Sequence, residues 1–162
     1  MKLYFLRHAT AEDFASSDAE RALTRDGEKE AAIAGGALRE LGVKPAHIFT
    51  SPLLRAQQTA RIAAQALGHT GKVEVLDELL NEADTKTLVR ALKSHADTGD
   101  ILLVGHMPSL AEHVAVLIGV DNANGIPLSK GAIACVKLTE LRIATGVLRW
   151  LMCQKQLRAV AK

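Results

Sequence analysis

Arg7 and His8 end the first apolar run of the chain, Leu3-Tyr4-Phe5-Leu6, and pair a side chain that can attack with one that can hold an anion. A neutral imidazole can act as a nucleophile, and a guanidinium presents a rigid fork of donors to an oxyanion. Two further positions answer this pair. Arg55 follows Ile48-Phe49-Thr50-Ser51-Pro52-Leu53-Leu54, and His106 follows Ile101-Leu102-Leu103-Val104-Gly105. Each apolar run has the length of a buried strand, so two arginines and two histidines fall at or just beyond strand ends. In open α/β sheets that carboxyl edge is where ligands bind. Each residue alone has a plainer reading, a histidine capping a strand or an arginine on the wet face of a helix. Their recurrence at three strand termini points to one anion-handling site.

The elements that must position these residues alternate between strand and helix. A helix is predicted from Thr24, as N-cap, to Leu41, closed by Gly42. Gly35-Gly36 in its middle implies close packing on the sheet. Ser51 reads as the N-cap of a second helix over 52–67, with Pro52 at its first position and Gly68 ending it. Arg55 then lies about one turn into a helix whose start favours anions. A weak strand follows at 73–75, then a helix over 85–95 with Leu88, Leu92 and His95 on one face. Beyond the 101–104 strand come a helix over 108–118, a loop at 122–125, and strands at 132–138 and 146–152. The alternation predicts a layered α/β fold with a mainly parallel sheet, its closing strands adding an antiparallel edge. At 162 residues one domain, 1–162, is expected.

Arg7-His8-Ala9, then Ser51-Pro52-Leu53-Leu54-Arg55-Ala56-Gln57-Gln58-Thr59-Ala60, then Val104-Gly105-His106-Met107-Pro108, together resemble the histidine phosphatase superfamily. Leu23-Thr24-Arg25-Asp26-Gly27 matches its Leu-Thr-x-x-Gly element. Ala9 stands where the first motif usually has glycine, a change that restricts the backbone but removes no functional group. The short length and the closing Leu148-Arg149-Trp150-Leu151 segment are most similar to the SixA-type phosphohistidine phosphatases. The resemblance implies a phosphoglycerate mutase-like, three-layer α/β/α sandwich. It also implies a phosphatase in which His8 takes the phosphoryl group as a covalent phosphohistidine, later hydrolysed by water. Arg7, Arg55 and His106 would bind and stabilise the phosphoryl oxygens. Arg21, just before the Leu-Thr-x-x-Gly element, is a candidate third cation for substrate. No metal or other cofactor is expected, because guanidinium and imidazole groups supply the charge.

Alkyl phosphates need a proton for their leaving group, and the candidate general acids are Glu78 and Glu82. A solvated helix-start cluster explains both equally well. Without an acid the site should favour phosphohistidine, whose imidazole departs neutral once its other nitrogen is protonated. The expected partner is a phosphorylated histidine phosphotransfer domain. A phosphomonoesterase of a small phosphorylated metabolite, such as a sugar or nucleotide phosphate, is the alternative; a non-catalytic phosphohistidine-binding protein is a third reading. Ser51 and Ser109 can donate to phosphate, though N-capping accounts for both. His47, His69, His95 and His113 lack metal-ligand spacing and are expected at the surface or core edge.

Composition excludes several classes. Twenty basic and 18 acidic side chains leave a charge of +2, with no basic block or aromatic interleaving of the kind that binds nucleic acid. No apolar stretch reaches membrane-spanning length, and Arg7 interrupts the first one too early for a secretory signal, so a cytoplasmic location is expected. The chain is 48% hydrophobic but only 3% aromatic, so alanine, leucine and valine must build the core. Cys135 and Cys153 form neither a disulfide framework nor a metal site. Arg142 and Arg158 lie seven and five residues after them, so neither fits the Cys-x5-Arg loop of a thiolate phosphatase.

Overall fold

Successive residues of a strand face opposite sides, and the first strand feeds two cores at once: Leu3 and Phe5 enter one, Tyr4 and Leu6 the other. The computed structural model describes residues 1–162. Its strands are β1 (Lys2–Arg7), β2 (His47–Thr50), β3 (Val73–Val75), β4 (Ile101–Gly105), β5 (Ile133–Leu138) and β6 (Gly146–Met152). They form one six-stranded sheet in the order β3-β2-β4-β1-β5-β6. β1, β2, β3 and β4 run parallel, while β5 is antiparallel to both β1 and β6. The expected mainly parallel sheet with antiparallel edge pairing is thus the observed one.

The helices are α1 (Arg25–Glu40), α2 (Leu54–Leu67), α3 (Thr85–Leu92), α4 (Ser109–Ile118) and α5 (Gln154–Val160). α1, α2 and α5 cover one face, around Leu38, Ala60, Ala63 and Leu157. α3 and α4 cover the other, around Leu88, Leu92, Leu110 and Val114. This makes the three-layer α/β/α sandwich. No helix is long and apolar enough to cross a membrane.

Several local expectations are corrected. Gly35 packs on α2, not on the sheet: a Cβ there would stand 2.2 Å from the Ala63 carbonyl oxygen. Small residues let these two helices approach closely, and Gly36 faces Ala161 beyond α5. The second helix begins at Leu54 and not at Pro52. Ser51 N–H still bonds the Val104 carbonyl at 2.9 Å, which keeps residue 51 on the sheet edge and leaves Pro52-Leu53 as the turn. Arg55 is therefore the second helical residue. Pro108 caps α4 from outside and is not its first residue. The helix over 85–95 stops at Leu92, and a 3-10 turn (Lys93–His95) completes it. His113 is no edge residue: it is 1% exposed, with its Nδ1 2.9 Å from the Thr85 hydroxyl. No local signal announces α5: seven residues with one buried side chain, Leu157, are too few to show a period.

Candidate active site

Adjacent parallel strands bring the four residues to one edge of the sheet. Arg7 is in register with Gly105, and the His8 N–H donates to the Gly105 carbonyl at 2.9 Å, so residues 8 and 106 leave the sheet side by side. Their imidazole centroids lie 5.1 Å apart. β2 flanks β4 on its other side, which places Ser51 and the start of α2 beside His106.

His8 is 7% exposed, and its Nδ1 lies 2.8 Å from the Ala9 carbonyl oxygen. A carbonyl can only accept, so Nδ1 carries the proton and Nε2 keeps its lone pair. Burial, aided by the nearby charges of Arg55, Arg7 and Lys130 and opposed by the Ala9 hydrogen bond, lowers the His8 pKa to about 4. The ring is neutral and nucleophilic at physiological pH. His106 presents the complementary arrangement. Its Nε2 is 2.7 Å from the Ser51 hydroxyl, which also accepts from the Leu53 N–H at 3.3 Å. If that hydroxyl donates to Nε2, the one acceptor it meets, the proton of the neutral ring resides on Nδ1. Burial, followed by the charges of His8 and Arg55, lowers the His106 pKa to about 3. His106 is thus neutral in the ligand-free protein.

Both arginines are held by their outer ends. Arg7 Nη1 donates to the Leu128 carbonyl at 2.9 Å. Arg55 Nη1 donates to the Asp18 carbonyl at 2.8 Å, and its Nη2 to the Asp18 carboxylate at 3.1 Å. In each case Nε is buried and without a partner. Six buried side-chain polar atoms lack partners, and three of them are Arg7 Nε, Arg55 Nε and His106 Nδ1. Unsatisfied buried donors are costly and rare, so three in one place mark the seat of an anion. The side edge of each guanidinium, Nε and the adjacent Nη2 hydrogen, remains available as a fork for phosphoryl-type oxygens.

The other sequence candidates lie differently. Arg21 Nε donates to the Glu12 carbonyl at 2.7 Å and its Nη1 to Asp18 at 3.0 Å, so it braces the segment around Asp18. Glu78 and Glu82 line an exposed surface hollow with Asp77, Leu80 and Ala83, on the segment whose Asn81 side chain accepts from the Ser109 N–H at 3.2 Å. Ser109 donates its hydroxyl to the His106 carbonyl at 3.1 Å. Ala9 is fully buried against Ala11, Leu23 and Ala31, so its methyl group fits where the related motif has glycine.

Sequence reasoning missed the supports. Thr59, one turn after Arg55, accepts from the Ala9 N–H at 3.0 Å and donates to the Arg55 carbonyl at 2.7 Å. Gln58 accepts from the Leu23 N–H at 2.7 Å. The Arg-Ala-Gln-Gln-Thr spacing puts these residues on consecutive helical positions that reach two different segments, a signal that was available. Glu30 takes both the N–H and the hydroxyl of Thr10, at 2.8 and 3.0 Å. The Leu-Thr-x-x-Gly element has a clear job. Thr24 caps α1 by accepting from the Gly27 N–H at 3.0 Å, and its own N–H bonds the Thr10 carbonyl at 3.0 Å. That same Thr10 oxygen would lie 1.9 Å from a Cβ on Gly27, so only glycine lets α1 sit against the loop that leaves β1.

A family model described as the histidine phosphatase superfamily (branch 1) matches residues 3–88. The chain is 30% identical over 154 residues to phosphohistidine phosphatase SixA of Escherichia coli, spanning 94% of this chain and 93% of the relative. It is 34% identical over 148 residues, 88% of each chain, to an uncharacterized protein of Picosynechococcus. Among solved structures, that of the protein histidine phosphatase SixA complexed with tungstate matches with a TM-score of 0.88 at 28% identity, covering 97% of this chain and 99% of the other.

Proposed function

Because the chain belongs to the histidine phosphatase superfamily and is a phosphatase, we propose that it removes phosphoryl groups from phosphohistidine in a protein, as one domain spanning residues 1–162. His8 Nε2 attacks phosphorus in line, and the bond from phosphorus to the substrate's imidazole nitrogen breaks. The departing ring leaves neutral, because its other nitrogen already carries a proton. Water then attacks the phosphohistidine formed on His8, releasing phosphate and restoring the Nε2 lone pair. Side edges of Arg7 and Arg55, with His106 Nδ1–H, hold the three equatorial oxygens on which charge accumulates. The chain's own residues supply the positive charge, and no metal takes part.

The observation that carries this reading is the pinned tautomer of His8 set among three buried, unpartnered donors. Its extension to phosphohistidine rests on two supports. Relatives of similar length carry the phosphohistidine phosphatase name, and phosphohistidine, whose imidazole departs neutral, needs no carboxylic acid from Glu78 or Glu82 for its leaving group. Arg21 enters as a brace for the binding segment, one step removed from the anion. A protein-borne phosphohistidine in a phosphotransfer relay is the physiological substrate we favour. The test is a side-by-side assay of a phosphorylated histidine phosphotransfer domain and a panel of sugar and nucleotide phosphates, with His8→Ala as control. Faster turnover of the phosphotransfer domain supports the proposal. Comparable or faster turnover of the monoesters favours the small-metabolite reading, and binding without turnover favours the non-catalytic one.

A further inference from the structure

Resting on the phosphatase reading, we infer that Asp18 is a positioning residue for phosphoryl binding, one that fixes which edge of Arg55 meets the anion. Asp18 opens the 3-10 turn Asp18–Glu20 and lies 37 positions before Arg55 in the chain. It takes both terminal nitrogens of Arg55 at once, Nη1 through its backbone carbonyl and Nη2 through Oδ2. Its other carboxylate oxygen, Oδ1, accepts from Arg21 Nη1 at 3.0 Å. Arg21 Nε in turn bonds the Glu12 carbonyl, which closes segment 12–21 on itself and fixes Asp18 in place.

A guanidinium has two edges able to grip an oxyanion, the end pair Nη1/Nη2 and the side pair Nε/Nη2. Asp18 occupies the end pair from the solvent side. What remains is the side pair, with Nε buried and unpartnered. Arg7, held through Nη1 alone, is left with the same edge.

Two opposing effects follow from a carboxylate placed there. It orders a flexible cation before the anion arrives, which lowers the entropy cost of binding. It also cancels part of the positive charge that attracts the anion. Exposure decides between them. The Asp18 side chain is 64% exposed against 9% for Arg55, so water screens the carboxylate's field toward the site while its contacts with Arg55 persist. The backbone carbonyl adds a contact that carries no net charge. Ordering should therefore outweigh neutralisation, and removing the carboxylate should weaken phosphoryl binding.

The two effects predict opposite signs, and tungstate, a tetrahedral dianion, reads the sign without turnover. Wild type, Asp18→Ala, Asp18→Asn and Arg21→Ala are compared for tungstate affinity and for kcat and KM on a phosphohistidine-bearing protein. Asp18→Ala should bind tungstate about tenfold more weakly and lose roughly ten- to a hundredfold in kcat/KM. Asp18→Asn keeps an oxygen for Nη2 and should recover part of both, and Arg21→Ala should show a smaller loss of the same sign. A general folding defect would lower the active fraction and the thermal midpoint but leave tungstate affinity per folded molecule unchanged. Should Asp18→Ala fail to fold, Asp18→Asn and Arg21→Ala report the same sign. Unchanged or tighter tungstate binding in Asp18→Ala overturns the inference. Weaker tungstate binding in a chain whose wild type leaves phosphohistidine intact would uphold it and reject the proposed substrate.

Discussion

The Ser51 hydroxyl lies 2.7 Å from His106 Nε2, and by donating there this one small side chain would leave the histidine's other nitrogen to offer a proton to the anion seat. Ser51→Ala removes that donor. The ring is then free to carry its proton on Nε2, which turns an acceptor toward the incoming phosphoryl group. We expect kcat to fall about tenfold to a hundredfold in steady-state assays, with the thermal midpoint nearly unchanged. Full activity in Ser51→Ala would mean that His106 orients itself without help.

Proton uptake should couple to stability on the acid side. His8, His106 and His113 are lowered by burial from an ordinary value of 6.5 to about 4, about 3 and about 4 respectively. The folded values lie below the unfolded ones, so the unfolded chain binds more protons as pH falls. The contribution of these neutral rings is complete above pH 6.5 and is lost progressively from there toward pH 4 for His8 and His113 and toward pH 3 for His106. The thermal midpoint should drop by roughly 5 °C or more between pH 6.5 and 4.5, and His113→Asn should flatten that slope. Over the same range the His8 nucleophile stays largely neutral, so initial rates should decline only below about pH 5. A rate that halves near pH 6.5 would contradict the pinned, buried ring.

Two glycine substitutions separate packing from positioning. Gly27→Ala and Gly35→Ala each push a methyl group into a carbonyl oxygen, that of Thr10 and that of Ala63. Each should cost about 1–3 kcal/mol in denaturant unfolding. Only Gly27→Ala should also reduce kcat/KM, because Thr10 belongs to the loop that carries His8 and Ala9. Equal effects on activity would show that this loop is not held by the Leu-Thr-x-x-Gly element.

Chelation provides a separate check on the chemistry. If guanidinium and imidazole groups supply all the charge stabilisation, prolonged treatment with EDTA leaves the rate unchanged. Loss of activity restored by one specific divalent ion would reject that scheme.

Much of this architecture could be read from the chain because the decisive signals are local. Thr24 and Gly42 bracket α1, four consecutive apolar residues announce β4, and β6 has the predicted bounds. Arg7, Arg55 and His106 reach one sheet edge because each sits at or just after a strand. What escaped was tertiary. Nothing near Arg55 in the sequence announces that Asp18 will grip it, and the pairing of Gly35 with Ala63 joins two helices whose relative placement no local pattern encodes. Ser51 reads as a helix cap for a related reason. Its local context favours that role, but the imidazole of His106, 55 positions away, claims the hydroxyl.

The account turns on a covalent phosphoryl group at one nitrogen. Rapid acid-free quenching of the enzyme with a phosphohistidine substrate, followed by mass spectrometry, tests it directly. We predict an acid-labile, alkali-stable phosphate on Nε2 of His8 that forms and decays within turnover and is absent from His8→Ala. A phosphate on any other residue, or undiminished turnover in His8→Ala, would contradict it.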